Sequence, residues 1–515
     1  MTATTGDLLG SGRPVWAPPA GGYWEGAWQD GRRGLIVRDP EDGAEVGRVM
    51  DATDEEADRA VAHLAARWRG HAWPLWRRRE AIGHAAAALA AAEPRFAAII
   101  AAESCKTVTE AHAEVRRAVE TLRLAADAAG GLTGRTVPFD NSPRGHGWTG
   151  WYTREPLGVV AAITPFNDPL NLVAHKLGPA LVAGNPVVLK PAPQTPLSAL
   201  ALVDLLLRGG VPGDYLAALP GRHTGAALTR NPRVDVVSFT GGPRTADRIA
   251  RGGPARKLLM ELGGNNALIV CADADPAQAA RAVIDGAFGV AGQNCLSVQR
   301  VLVAESRYAE VVERVCAAAA RLVVGSKRDP ATDVGPLVSE AEAARVTAWI
   351  GEAVGGGAVL HTGGDRRGGF VTPAVLTGVP AGARLRTQEV FGPVVLLDPF
   401  RSLDEAVASA NAVDTGLQAG VLTRDLQDAM AVAGALTVGA VLINSSPDFR
   451  IDAMPFGGFK RSGIGREGIE AAIDELTAPK VVAINTAPAH ACRDAAGPPP
   501  ADRTPEGEPL GRRLP

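Results

Sequence analysis

Short, continuously apolar runs alternating with helix-like stretches constrain this chain more than any other feature in it. Residues 158–163, 185–189 and 234–239 are too short for helices and largely apolar, without the strict alternation of strands that have one wet face. They read as buried parallel strands, with helices at about 169–182 and 198–207 between them. The alternation restarts at 267–270, followed by a helix near 276–291 and further strand candidates at 301–303, 358–360 and 394–397. Each series implies an open, mostly parallel sheet covered by helices on both faces. A chain of 515 residues also exceeds what one hydrophobic core supports. The expected fold class is therefore α/β, with two doubly wound open parallel-sheet domains. Ligands in such sheets bind at the carboxyl ends of the strands, where Thr164, Lys190 and Thr240 fall.

The flanking sequence fills in the frame. Residues 1–21 are rich in Gly, Pro, Thr and Ser and are expected to lie loosely on the surface. Strands at 35–37 and 45–49 bracket the turn Asp39-Pro40-Glu41-Asp42-Gly43, and acids at 54–56 mark a helix start. The Ala-rich, Arg-studded region up to Ala129 should be helical, broken near Trp73-Pro74 and Glu93-Pro94. Within it, Arg116 and Arg117 read as a solvated helix face. A strand at 150–155 follows. The tail beyond residue 485 alternates Pro, Gly, Ala and charge without a core-forming pattern, so disorder is expected.

Composition sets limits on function. A net charge of -3 and a pI near 6.3 disfavour nucleic-acid binding. No apolar run approaches the roughly 20 residues that span a bilayer, and no signal peptide is visible, so no membrane partner is expected. Cys105, Cys271, Cys295, Cys316 and Cys492 lack disulfide-framework or metal-ligand spacing. A reducing, cytoplasmic setting and no metal site follow as expectations.

Among these cysteines, Cys295 stands apart. It follows the Gly-containing bend Gly292-Gln293-Asn294 and precedes a β-prone run, a placement suited to presenting a thiolate at the rim of a cleft. Upstream, Glu261-Leu262-Gly263-Gly264 offers a carboxylate followed by two glycines, suited to a base beside a closely approached ligand. With these two stretches the chain resembles the aldehyde dehydrogenase superfamily, over about residues 22–484. Further motifs occur in the expected order: Thr164-Pro165-Phe166-Asn167, Lys190-Pro191-Ala192, Phe239-Thr240-Gly241, Glu389-Val390-Phe391-Gly392-Pro393 and Pro455-Phe456-Gly457-Gly458.

The resemblance implies an organisation and a chemistry. Residues 22–140 and 159–266 would form the cofactor-binding domain and 267–454 the catalytic domain. Residues 455–477 would return to the cofactor site, and 141–158 with 478–485 would form a small β oligomerisation element of a homodimer or homotetramer. Residues 1–21 and 486–515 would stay flexible. Cys295 is the expected nucleophile, and Asn167 the side-chain donor to the oxyanion, with the Cys295 N–H as the second donor. Glu261 is the expected base for thioester hydrolysis, and Lys176 a candidate in proton transfer. NAD or NADP, with NAD slightly favoured, would contact Thr164, Pro165, Phe166, Lys190, Ala192 and Gly225 on one side. Thr240, Gly241, Gly242, Leu262, Glu389 and Phe391 would complete its site.

Two departures bear on the cofactor. Many NAD-preferring members carry Glu three residues after the lysine, where this chain has Pro193, so the phosphate of NADP is not repelled there. Arg222 and His223 could attract it or be plain loop residues. Gly242, Pro243 and Ala246 stand where the family usually has Ser, Thr and Gly, although Pro243 can still open a helix. Gln299-Arg300 and residues 448–452 resemble the branch that handles lactaldehyde, glyceraldehyde 3-phosphate or phosphonoacetaldehyde. Arg450 either pairs with an anionic substrate or braces a loop against Asp448 or Asp452. Asp168 and Asn294 are the remaining candidates for substrate contact. The competing readings are a dehydrogenase that passes its thioester to coenzyme A, and a non-catalytic protein on the same fold.

Overall fold

The computed structural model describes residues 21–29, 34–68 and 73–486. The N-terminal stretch expected to lie loosely on the surface, most of the expected tail and Cys492 fall outside the described residues. The chain divides into two units, one of residues 1–132 with 156–478 and one of residues 133–155 with 479–515.

The large unit contains both sheets. In the first, five parallel strands run in the order Leu216–Ala218, Val187–Lys190, Val160–Ile163, Val236–Gly241 and Lys257–Leu262, with antiparallel strands at either edge. Side chains alternate across a strand, so a strand can be apolar throughout only if both faces are covered. Val160, Ala162, Val187 and Leu189 face one core, under Asn171–Ala183 and its neighbouring helices. Val159, Ala161, Ile163 and Val188 face the other, with Asp54–Arg67. Leu189 is fully buried, and trimming such a residue to Ala costs about 2–5 kcal/mol. The strands at Leu216–Ala218 and Lys257–Leu262 carry no sequence signal that singled them out; the second of them holds Glu261.

The second sheet has seven strands: Val359–Thr362, Ala374–Thr377, Val394–Phe400, Val298–Ala304, Asn266–Val270, Gln418–Leu422 and Ala440–Ile443. All run parallel except the first. The expected α/β class with two parallel sheets holds. Among the described residues, no single helix is long and apolar enough to cross a membrane.

Three local readings need correction. The helical region up to Ala129 has a further break at Ser104–Lys106, between Glu93–Glu103 and Val108–Ala128. There Glu103 turns inward to accept the N–H groups of Leu197 and Ser198 at 2.6 and 2.8 Å, and the Lys106 ammonium is drawn to Glu114 at 2.8 Å and to Asp168. Arg117 is only partly solvated: it also turns in to pair with Asp452 at 2.9 Å and Asp168 at 3.5 Å. Arg116 does lie exposed, beside Glu93. The helix expected near 276–291 ends at Phe288, and Val290 and Ala291 adopt left-handed backbone angles.

The small unit is built on a three-stranded sheet ordered Thr477–Asn485, Trp148–Pro156 and Arg135–Thr136. Trp148, Trp151, Val481, Val482 and Ile484 are exposed on it.

Candidate active site

The carboxyl ends of the first sheet open toward a cleft with about 740 Å³ of space, part of it open to solvent. Asn167, with Pro165 and Phe166, comes from the loop after Val160–Ile163. Thr240, Gly241 and Gly242 come from the end of Val236–Gly241, and Glu261 and Leu262 from the end of Lys257–Leu262. Cys295 enters from the opposite side, just ahead of Val298–Ala304 in the second sheet, and Glu389, Phe391 and Arg450 complete the lining. The sulfur, the acid and the amide singled out in the sequence thus share one cleft with Glu389.

The loop that carries Cys295 is held by its backbone. Asn266 Nδ2 donates to the carbonyls of Cys295 at 2.8 Å and Ser297 at 3.1 Å, and Asn294 Oδ1 accepts the Leu296 N–H at 2.7 Å. Among the described residues nothing accepts the Cys295 N–H, which leaves it available to a ligand oxygen. Burial, with the Glu389 carboxylate adding to it, pushes the Cys295 thiol above its ordinary range. Burial therefore favours the thiol over the thiolate at this sulfur.

Glu261 is buried on strand Lys257–Leu262, and its Oε2 has no hydrogen-bond partner. Burial and the neighbouring Glu467 raise its pKa well above the usual carboxylate range. Glu467 is the residue that sequence reasoning missed. It lies in Gly465-Arg466-Glu467-Gly468, beyond every motif singled out, and nothing in its spacing points inward. Its Oε1 accepts from Lys176 Nζ at 3.2 Å, and its Oε2 lies 3.4 Å from Arg450 Nη2. Burial opposes its charge, but Lys176 and Arg450 outweigh burial and hold Glu467 down to about 2. Lys176 also reaches Ser238 Oγ at 3.0 Å, and with Glu261 and Glu467 it lines a small cavity behind the cleft.

Arg450 braces against neither Asp448 nor Asp452. Its guanidinium stacks over Phe456 at 3.8 Å and touches Glu467, while its buried Nε has no partner. Asp452 instead holds His175 at 2.8 Å and Arg117. Two proposed substrate contacts stand away from the lining. Asp168 is engaged by Lys106 and Arg117, and Asn294 contacts Asp448, whose carboxyl burial pushes up to about 6. Gln299 and Arg300 are bracing residues. Gln299 binds the carbonyls of Leu385 and Gln388 and the Val390 N–H, clamping the loop that carries Glu389. Arg300 holds Asn265 and the carbonyls of Ser409 and Ala410.

The remaining cradle extends along the strand ends. Lys190 is buried, which lowers its ammonium to about 8, and it makes no ion pair among the described residues. Gly225 leaves room above its stem. Thr164 Oγ1 is buried without a partner, and Ala192 is buried nearby in sequence. Gly242 faces open space as the N-cap of helix Pro243–Gly252, with proline at its start as expected. Unpartnered donors beside a helix N-terminus fit an elongated ligand with hydroxyls and phosphates. Arg222 is already clamped to Asp51 at 2.9 Å. The room beside Gly263 is taken by Glu389, whose carboxyl a Cβ would overlap and whose Oε1 accepts the Gly264 N–H at 3.3 Å. Burial raises Glu389 to about 8. Phe391 meets Phe166 edge-on at 5.9 Å.

Comparison with known proteins agrees with this geometry. Residues 28–482 match the model of the aldehyde dehydrogenase family. Aspartate-semialdehyde dehydrogenase 1 of Pseudomonas canavaninivorans is 43% identical, over 88% of this chain and 96% of its own. The 3-sulfolactaldehyde dehydrogenase of Priestia aryabhattai is 39% identical, over 90% and 97%. Among solved structures, an NADP-dependent glyceraldehyde-3-phosphate dehydrogenase from Bacillus halodurans complexed with NADP superposes with a TM-score of 0.88, at 33% identity, over 90% of this chain and 99% of that one. The chain belongs to the aldehyde dehydrogenase family and is an enzyme that oxidises aldehydes to acids with a nicotinamide cofactor.

Proposed function

We propose that the substrate is a small aldehyde bearing a polar or anionic group, oxidised through a thioester on Cys295 that water then hydrolyses. The observation that carries this reading is the convergence of Cys295, Glu261, Asn167 and Arg450 on one cleft. The thiol gives its proton to Glu261, and sulfur attacks the carbonyl carbon. The oxygen becomes an oxyanion held by the Asn167 amide and the Cys295 N–H. A bound nicotinamide would supply the hydride acceptor for that carbon, beside Glu389 and Phe391. Once it has given that first proton up, Glu261 takes a proton from the water that attacks the thioester. The C–S bond breaks, the acid leaves and the sulfur is reprotonated, and the raised pKa of Glu261 suits this work near neutrality. Lys176 behind it offers a way out for the proton, with the ionised Glu467 as its counter-charge.

Lys190 and Thr164 would hold the adenosine side of the cofactor, and Glu389 and Phe391 the nicotinamide side. Pro193 removes a carboxylate that would repel an extra phosphate, while Arg222 is already paired with Asp51. Both nucleotides are therefore accepted, with NAD slightly favoured. Arg450 Nε, buried without a partner, is the donor that selects a substrate carboxylate, sulfonate or phosphate. The related 3-sulfolactaldehyde and aspartate-semialdehyde dehydrogenases are named for aldehydes of this kind. The exposed apolar side chains of the small β unit support a homo-oligomer, and a catalytic thiol suits a reducing cytoplasm.

The test is a panel of neutral and anionic aldehydes with NAD and NADP in parallel. Free acid should appear without added thiol, and Cys295→Ala should abolish turnover. Formation of an acyl-CoA thioester in place of free acid, dependent on added coenzyme A, would favour the acylating alternative instead.

A further inference from the structure

The backbone immediately before the nucleophile is strained. Val290 (φ 52°, ψ 34°) and Ala291 (φ 52°, ψ 37°) are consecutive left-handed residues, neither of them glycine, and Gly292 follows at φ 70°. A β-branched residue in that region is an outlier, and it persists only where its surroundings over-determine it. Part of the restraint is local. Gln293 donates from Nε2 to the carbonyls of Val290 at 3.1 Å and Pro336 at 3.3 Å, and its Oε1 accepts the Val338 N–H at 2.8 Å. The rest comes from 180 residues away. Glu110 Oε1 accepts the Val290 N–H at 2.6 Å. Its Oε2 accepts the Thr107 N–H at 2.8 Å in the capping box of helix Val108–Ala128. One carboxylate thus ties that helix end to the turn that aims Cys295.

We propose that Glu110 is a positioning residue: its carboxylate holds Val290–Ala291 in the left-handed turn and so keeps the Cys295 sulfur directed into the cleft. The proposal rests on Cys295 being the nucleophile. Without Glu110 the turn relaxes toward right-handed angles and the sulfur withdraws.

The experiment reads the rate of Cys295 alkylation by iodoacetamide, followed by peptide mass spectrometry on the full chain. Cys316, half-buried on helix Glu305–Ala319, serves as internal standard. Glu110→Ala should slow Cys295 alkylation and kcat by about tenfold with KM changed less than threefold. Glu110→Gln, which still presents an oxygen, should stay within about threefold of wild type. Adding Val290→Gly to the alanine variant should restore most of the rate, because glycine adopts positive φ without strain. Thr107→Ala removes the cap hydroxyl and its 3.1 Å bond to Glu110 Oε2 but keeps the backbone N–H bond to that oxygen and the Oε1 bond to Val290, so it should lower Tm and slow alkylation far less than Glu110→Ala. Wild-type alkylation in Glu110→Ala, a glutamine variant as slow as the alanine one, no recovery with Val290→Gly, or equal slowing by Thr107→Ala would each overturn the proposal. If the alanine variant does not fold, Glu110→Asp carries the test: its shorter carboxylate should alkylate slowly, and a wild-type rate refutes the idea. Turnover that survives Cys295→Ala would instead sink the nucleophile assignment.

Discussion

Replacing Arg450 with Met tests the substrate reading most directly. Methionine keeps an unbranched apolar chain over Phe456 and removes only the guanidinium, now stacked at 3.8 Å with an unpartnered Nε. The fold should tolerate this. Glu467 keeps Lys176 at 3.2 Å, and its contact to Arg450 is the longer one at 3.4 Å. A hydrogen bond to a charged group contributes about 1.5–3 kcal/mol. At about 1.4 kcal/mol per factor of ten, kcat/KM for an anionic aldehyde should fall roughly 10–150-fold. An uncharged aldehyde of the same chain length lacks that bond and should lose less than about threefold. Arg450 also helps lower the pKa values of Cys295 and Glu261, so the pH profile should move upward for both substrates alike. The ratio of the two kcat/KM values cancels that shared effect. The assay is reduced-nicotinamide formation at saturating nucleotide, with a four-carbon aldehyde acid against butanal. An unchanged ratio would refute the reasoning and leave Arg450 as a brace for Glu467.

Three further outcomes follow from the geometry. Glu467→Gln removes the like charge that raises Glu261 and leaves Lys176 and Arg450 unneutralised, and both changes favour ionised Glu261. The acid limb of single-turnover thioester hydrolysis should therefore move to lower pH; a limb that stays put or rises contradicts the coupling. Lys327 is fully buried, with Asp39 at 2.8 Å and the Ser104 carbonyl at 2.6 Å. Lys327→Met should cost about 3–5 kcal/mol in chemical denaturation, since it leaves a buried acid short of a partner; a loss below about 1 kcal/mol would show that Arg328 alone suffices. Gln299→Leu unpairs three backbone groups of the loop carrying Glu389, at about 1–3 kcal/mol each, so KM for the nucleotide should rise at least about tenfold, and an unchanged KM would disconnect that clamp from cofactor binding.

Two kinds of information shaped this protein, and they differ in range. Local pattern was enough for the α/β class, because an apolar strand covered on both faces reports that covering in its own residues, as at Val160–Ile163. It was also enough to single out Cys295, Glu261 and Asn167, whose short motifs carry their own signature. Tertiary structure alone decided what charged and strained residues do. Glu467 meets Lys176 across 291 positions, Asp168 is taken by Lys106 and Arg117, and the turn before Cys295 is held by Glu110. Hydrophobic periodicity repeats within a few residues, whereas an ion pair or a borrowed hydrogen bond depends only on proximity in space. Nothing next to Glu467 or Glu110 in the chain records the partner that the fold brings to it.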